Sequence, residues 1–202
     1  MRHAFICSDT FQQHDGASSP DRRSNWGMRV DRTFAFVDLC GFTRFTESQG
    51  DEEAVYVLTG FRAVLREVAS DHGVRIGKWL GDGAMLVAPE PNFVVEGILE
   101  LQRRVDIAGV GLPVRCGAAR GRVILFEGDD YIGSPVNLAA RLCDSAAPYE
   151  VLASADLSDV VPPTALYTEA SLVIPGFIHP VPVLRVTSKT SGEPEPLPPS
   201  LR

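Results

Sequence analysis

The strongest constraint on the fold is a switch of hydrophobic period in the first half of the chain. Thr33-Phe34-Ala35-Phe36-Val37-Asp38 is a short, aromatic-rich apolar run that ends in a carboxylate and a glycine turn at Gly41, as a buried strand does. From 51 to 70 the period changes. Ala54, Leu58, Phe61, Leu65 and Val68 recur at spacings of four, three, four and three, which puts them on one face of a helix. Glu52 and Glu53 suit its first turn and Gly73 its stop. Residues 74–80 and 84–88 then read as two strands joined by Gly81-Asp82-Gly83, a tight-turn sequence. Val94, Ile98, Leu101 and Val105 mark a second helix over 91–106. Residues 113–126 form one long strand or a hairpin broken at Gly121, and a third helix runs from near Ser134 to about Ala146. Later strands are expected at 151–153, 166–168, 172–174 and 181–186.

Strand, helix, strand, strand, helix, strand is the split ferredoxin-like βαββαβ order. The hairpins imply an antiparallel sheet with helices on one face, an α+β fold rather than a doubly wound one. The 202 residues, 45% of them hydrophobic, suit one folded domain. We place it at 32–187. Residues 1–31 are polar without periodicity and read as a flexible N-terminal arm in which Met28 offers a second start; 188–202, with Pro194, Pro196, Pro198 and Pro199, read as a Pro-rich flexible tail. A net charge of -7 argues against binding a nucleic acid polymer. It leaves a small nucleotide open, whose charge a few donors and cations can meet. Cys7, Cys40, Cys116 and Cys143 form no CxxC pair, so neither a disulfide framework nor a zinc knuckle is expected. With no apolar run of roughly 18 residues and no signal-peptide pattern, the reading is a cytoplasmic protein with reduced thiols and no membrane attachment.

Asp38 ends the first strand and Asp82 sits in the hairpin turn, where a rigid scaffold presents side chains to solvent. Two carboxylates brought together make a hard oxygen site for Mg²⁺ or Mn²⁺, able to serve an in-line phosphoryl displacement. Taken singly, each Asp is equally well read as a turn former.

The surroundings narrow this. Phe36-Val37-Asp38-Leu39-Cys40-Gly41-Phe42-Thr43, then Lys78-Trp79-Leu80-Gly81-Asp82-Gly83, then Asp130-Tyr131-Ile132-Gly133-Ser134-Pro135-Val136-Asn137-Leu138-Ala139-Ala140-Arg141 occur in that order. In this the chain resembles class III adenylyl and guanylyl cyclases over about residues 32–187. The resemblance implies that Asp38 and Asp82, with the backbone at Leu39, bind two divalent ions per site, Mg²⁺ or Mn²⁺. It implies that Gly41, Phe42 and Thr43 contact the phosphates, that Asn137 orients the ribose and that Arg141 stabilises charge on the α-phosphate. Lys78 and Asp130 would select the base. A lysine only donates and an ionised aspartate only accepts, which complements N1 and the 6-amino group of adenine, so ATP is the expected substrate. The resemblance also implies a head-to-tail homodimer with two composite sites. One subunit supplies the metal carboxylates; the other supplies Lys78, Asp130, Asn137 and Arg141.

One departure stands out. Many members of that family carry a lysine before Gly-Phe in a late hairpin, and here the stretch reads Ile174-Pro175-Gly176-Phe177. Arg120, Arg122 or Arg185 are candidate substitutes. The missing charge keeps open a catalytically weak or inactive nucleotide-binding module. A diguanylate cyclase or palm-type polymerase fits worse, because no Gly-Gly-Asp-Glu-Phe run is present.

Overall fold

The central strand, β1 (Arg29–Leu39), alternates its side chains between two cores. The computed structural model describes residues 28–128 and 130–188. After β1 come α1 (Phe42–Gln49), α2 (Asp51–Asp71), β2 (Arg75–Leu80), β3 (Gly83–Ala88), α3 (Pro91–Ile107), β4 (Val114–Phe126), β5 (Asp130–Ile132), α4 (Ser134–Ser145), β6 (Val151–Ser154), a short 3-10 helix (Ala155–Val160), β7 (Ala165–Leu172) and β8 (Val181–Ser188). The sheet runs β2-β3-β1-β4-β6-β8-β7, with β5 paired to β4. Every pairing is antiparallel except β4 with β6. The α+β, mostly antiparallel architecture is therefore the expected one.

Three details differ. The helices do not share one face. Ala35, Val37 and Leu39 of β1 pack with α2 and α3, whereas Phe34 packs with Ala139 of α4 on the opposite side. An apolar stripe shows that a helix packs, not on which side of the sheet. Residues 29–31, expected in the arm, are strand, because β1 extends to pair Arg29 with Ile124. Residues 172–174 are not a separate strand: Leu172 ends β7, and β4 continues through Gly121 unbroken. The remainder of the expected arm, 1–27, and the tail, 189–202, lie outside the described residues. Among the described residues, no helix is long and apolar enough to cross a membrane.

Two glycines shape the sheet around the cleft. Gly117 lets α4 seat directly on β4. A Cβ there would lie 2.1 Å from the Cys143 nitrogen and 2.3 Å from the Ala139 oxygen, both backbone atoms that cannot yield cheaply. Gly117→Ala should cost about 3 kcal/mol or more, read as a fall of roughly 10 °C in thermal midpoint. An unchanged midpoint would mean that α4 is not held this closely. Gly77 is the extra residue of a β-bulge between Ile76 and Lys78. Such a bulge re-aims the side chains beyond it. Lys78 consequently pairs with Met85, on the α4 side of the sheet, where unbroken alternation would have turned it to the other core.

Candidate active site

Asp38, near the end of β1, lies opposite Gly83 of β3 on one side and Arg115 of β4 on the other. Arg115 donates to its Oδ2 from Nε at 2.9 Å and from Nη2 at 2.6 Å, and its Nη1 donates to the Asp144 carbonyl at 3.0 Å. Both carboxylate bonds fall on Oδ2. Oδ1 faces the β2–β3 turn: a Cβ on Gly83 would sit 3.1 Å from it and 2.5 Å from the Val37 carbonyl oxygen. Glycine at 83 thus permits the turn carrying Asp82 to close on Asp38. Burial, and next the charge of Asp38, push the Asp82 carboxyl above the ordinary carboxylate range. The two acids feel each other, and Arg115 only partly offsets them.

Arg115 was missed by sequence reasoning. The available signal was a lone cation inside the apolar run Pro113-Val114-Arg115-Cys116, a position that makes sense only beside a carboxylate.

α1 starts at Phe42, and Gly41, at φ 77°, turns the chain into it. Its first turn has no side-chain cap, and Phe45 is the first residue whose N–H reaches back, to the Gly41 oxygen at 2.9 Å. The N–H groups at a helix start suit an anion in general. Leu39 is buried, and its strand pairs it with Val114.

Lys78 of β2 and Asp130 of β5 form an ion pair in the wall of a cavity of about 260 Å³. Phe36, Leu80, Met85 and Tyr131 contribute its other walls. Tyr131 is held by Arg75, whose Nη2 donates to its hydroxyl at 3.0 Å, and by an edge contact with Phe34 at 5.1 Å. A second cavity of about 230 Å³ adjoins the first through the shared Phe36 and Leu80, and is lined by Asp38, Gly83, Arg115 and Asp144. Asp38 and the Lys78–Asp130 pair therefore line two adjoining cavities, and Asp82 sits in the turn next to Gly83, which lines the cavity of Asp38.

Asn137 and Arg141 are absent from the walls of both cavities. They lie on the exposed face of α4, and Arg141 contacts Asp144 at 3.4 Å. Arg141 thus reaches the rim residue Asp144, which lines the cavity of Asp38, and makes no described ion pair with Asp38 or Asp82. Of the candidates for the missing late lysine, Arg120 pairs with Asp156 and Asp159, and Arg185 with Glu150. Both are engaged by carboxylates of this chain.

The donor set fits a hard divalent cation. Among the described residues no group of three or more His, Cys, Asp or Glu side chains converges. Two carboxylates are what the protein offers, as for an Mg²⁺-type ion completed by substrate phosphates and water. Burial holds the Cys40 thiol up at about 11 and Cys143 at about 12, so neither is a ready thiolate ligand. Cys7 lies outside the described residues.

No family model matches the chain. An uncharacterised protein of Mycobacterium tuberculosis is 37% identical over 146 residues, covering 72% of this chain but 38% of the relative. The pH-sensitive adenylate cyclase of the same organism is 35% identical over 120 residues, 59% of this chain and 30% of that protein. The chain thus spans less than two fifths of the length of these curated relatives. Among solved structures, the adenylyl cyclase CyaB from P. aeruginosa superposes with TM-score 0.72 at 23% identity, covering 82% of this chain and 97% of the other. The guanylyl cyclase Cya2 superposes with TM-score 0.70 at 26% identity, covering 88% and 100%.

Proposed function

We propose that this chain, a class III nucleotidyl cyclase catalytic domain in fold and motifs, is an adenylate cyclase that converts ATP to 3′,5′-cyclic AMP and pyrophosphate. The observation that carries the choice of base is the Lys78–Asp130 pair at the wall of the cleft. One partner only donates and the other only accepts, as the adenine edge requires. The names of the relatives support the chemistry and include both purines.

In this reading the ribose 3′-hydroxyl gives up its proton to water as its oxygen attacks the α-phosphorus, the new O–P bond forms as the bond to the bridging oxygen breaks, and pyrophosphate departs. Lys78 and Asp130 fix the base, Asn137 orients the ribose, and Arg141 opposes negative charge developing on the α-phosphate. Such a donor is typically worth about 10²–10³ in rate. The open first turn of α1, at Gly41–Thr43, receives phosphate oxygens. Divalent ions, two Mg²⁺ or Mn²⁺ held by Asp38, Asp82 and the Leu39 backbone, would polarise the phosphoryl oxygens and neutralise the leaving group.

Asn137 and Arg141 are exposed and line neither cavity of their own protomer, which supports a head-to-tail homodimer with two composite sites. The assay is cyclic AMP formation by purified protein with ATP or GTP and Mn²⁺. ATP bound without product would instead favour a nucleotide-binding module, the reading to which Pro175 in place of a lysine gives its support.

Composite sites make a complementation prediction. Asp82→Ala and Arg141→Ala should each be inactive alone. Mixed one to one, half the dimers are hybrid and each carries one intact site, so about a quarter of wild-type activity should return. No recovery on mixing would contradict shared sites.

A further inference from the structure

The turn that carries Asp82 is a two-residue connection, Gly81-Asp82, between Leu80 and Gly83. Gly81 takes φ 66°, as a tight hairpin demands, and both Leu80 and Gly81 are exposed. The tip gains little from packing, yet the direction of Asp82 depends on it. A cation from another element reaches it. Arg62, in the middle of α2, donates from Nη2 to the Gly81 carbonyl at 2.9 Å. Its guanidinium carbon lies 4.9 Å from the centre of the Trp79 ring, and Arg66, one turn along, lies 5.2 Å from the same ring. The Arg62 Nε is buried and finds no hydrogen-bond acceptor among the described residues. The side chain therefore gives up one hydrogen bond to hold a stacked pose, and the bond it does make falls on the peptide immediately before Asp82.

We propose that Arg62 is a positioning residue for Asp82: clamped on Trp79, it fixes the Gly81 carbonyl and so aims the Asp82 carboxylate toward Asp38. The inference rests on reading Asp82 as a cation ligand. An arginine suits the task because its planar fork stacks and donates together, which a lysine ammonium cannot do. The groups that orient a ligating carboxylate typically change metal affinity by about 10–100-fold when removed.

The test uses the full chain without nucleotide. Mn²⁺ is titrated and free ion is read by electron paramagnetic resonance. A Trp26→Phe background adds quenching of Trp79, three residues from Asp82, as a second readout. Arg62→Ala and Arg62→Met should weaken Mn²⁺ binding by about tenfold or more. Arg62→Met keeps a stem over Trp79, so the fold is retained even if the alanine variant is unstable. Arg62→Lys should recover part of the affinity. Asp82→Ala is the reference. If it binds Mn²⁺ like wild type, the cation reading itself falls and the inference with it. If it loses binding while Arg62→Met binds normally, whatever happens to the thermal midpoint, Arg62 is merely structural and the inference is overturned.

Discussion

Asp82→Asn is expected to abolish cyclic AMP formation and at the same time raise the thermal midpoint of the metal-free protein at pH 7. The carboxylate is held in its charged form against burial and against the neighbouring charge of Asp38, both of which push its pKa up. A raised carboxylate pKa means that the folded state binds the proton more tightly than the unfolded one. Stability therefore falls as pH rises through the ordinary carboxylate range towards the raised value, and above it the penalty is complete. An asparagine of the same shape removes that penalty, so its advantage should be present at neutral pH and vanish at pH low enough to protonate both states. Catalysis moves the other way. In the proposed reading Asp82 holds a cation beside the reacting phosphate, and losing that ligand removes several kcal/mol of charge stabilisation, about a thousandfold in rate. Asp38→Asn should be equally inactive but less stable, because Arg115, which makes two bonds to Oδ2, loses its charged partner. Calorimetry in a chelating buffer, beside the cyclic AMP assay, separates the two variants. Equal shifts in midpoint for both would refute the asymmetry.

That asymmetry could not be read from the sequence. Asp38 and Asp82 look alike as letters: each follows a strand and lies at or beside a glycine-containing turn. What differs is a neighbouring strand. β4 lies beside β1 and sets Arg115 opposite Asp38, a pairing of residues 77 apart in the chain that no local period announces. The elements that were legible have strong periods of their own: α2 and α3 follow their apolar stripes, and the Gly81-Asp82 hairpin follows its turn chemistry. The illegible ones depend on close approach or length. β5 has three residues, too few for alternation to register. Gly117 looks like any strand glycine until α4 is found against it, and the bulge at Gly77 is one residue of register.

The bulge matters because it delivers Lys78 to the cleft, and the second large effect is expected there. Lys78→Glu alone should lower kcat/KM for ATP about a hundredfold or more. The new carboxylate would face Asp130 where an ion pair stood, and adenine N1, an acceptor, would meet another acceptor. GTP should gain little from this single change, because Asp130 still meets the guanine 6-oxygen with a second acceptor. Adding Asp130→Ser supplies a hydroxyl that can donate to that oxygen, while the introduced glutamate accepts from the guanine N1–H and 2-amino group. Each unmatched buried polar contact costs about 1–3 kcal/mol, so two reversed contacts should move the ratio of ATP to GTP turnover by roughly two to four orders of magnitude. The double variant should therefore prefer GTP, with Asp38 and Asp82 untouched and the total activity limited by how well Tyr131 and Met85, which wall the same cavity, accept the other purine. The measurement is kcat/KM for both nucleotides in wild type, each single variant and the double. Continued preference for ATP in the double variant would mean that Lys78 and Asp130 do not read the base, and that selection lies with the shape of the cavity.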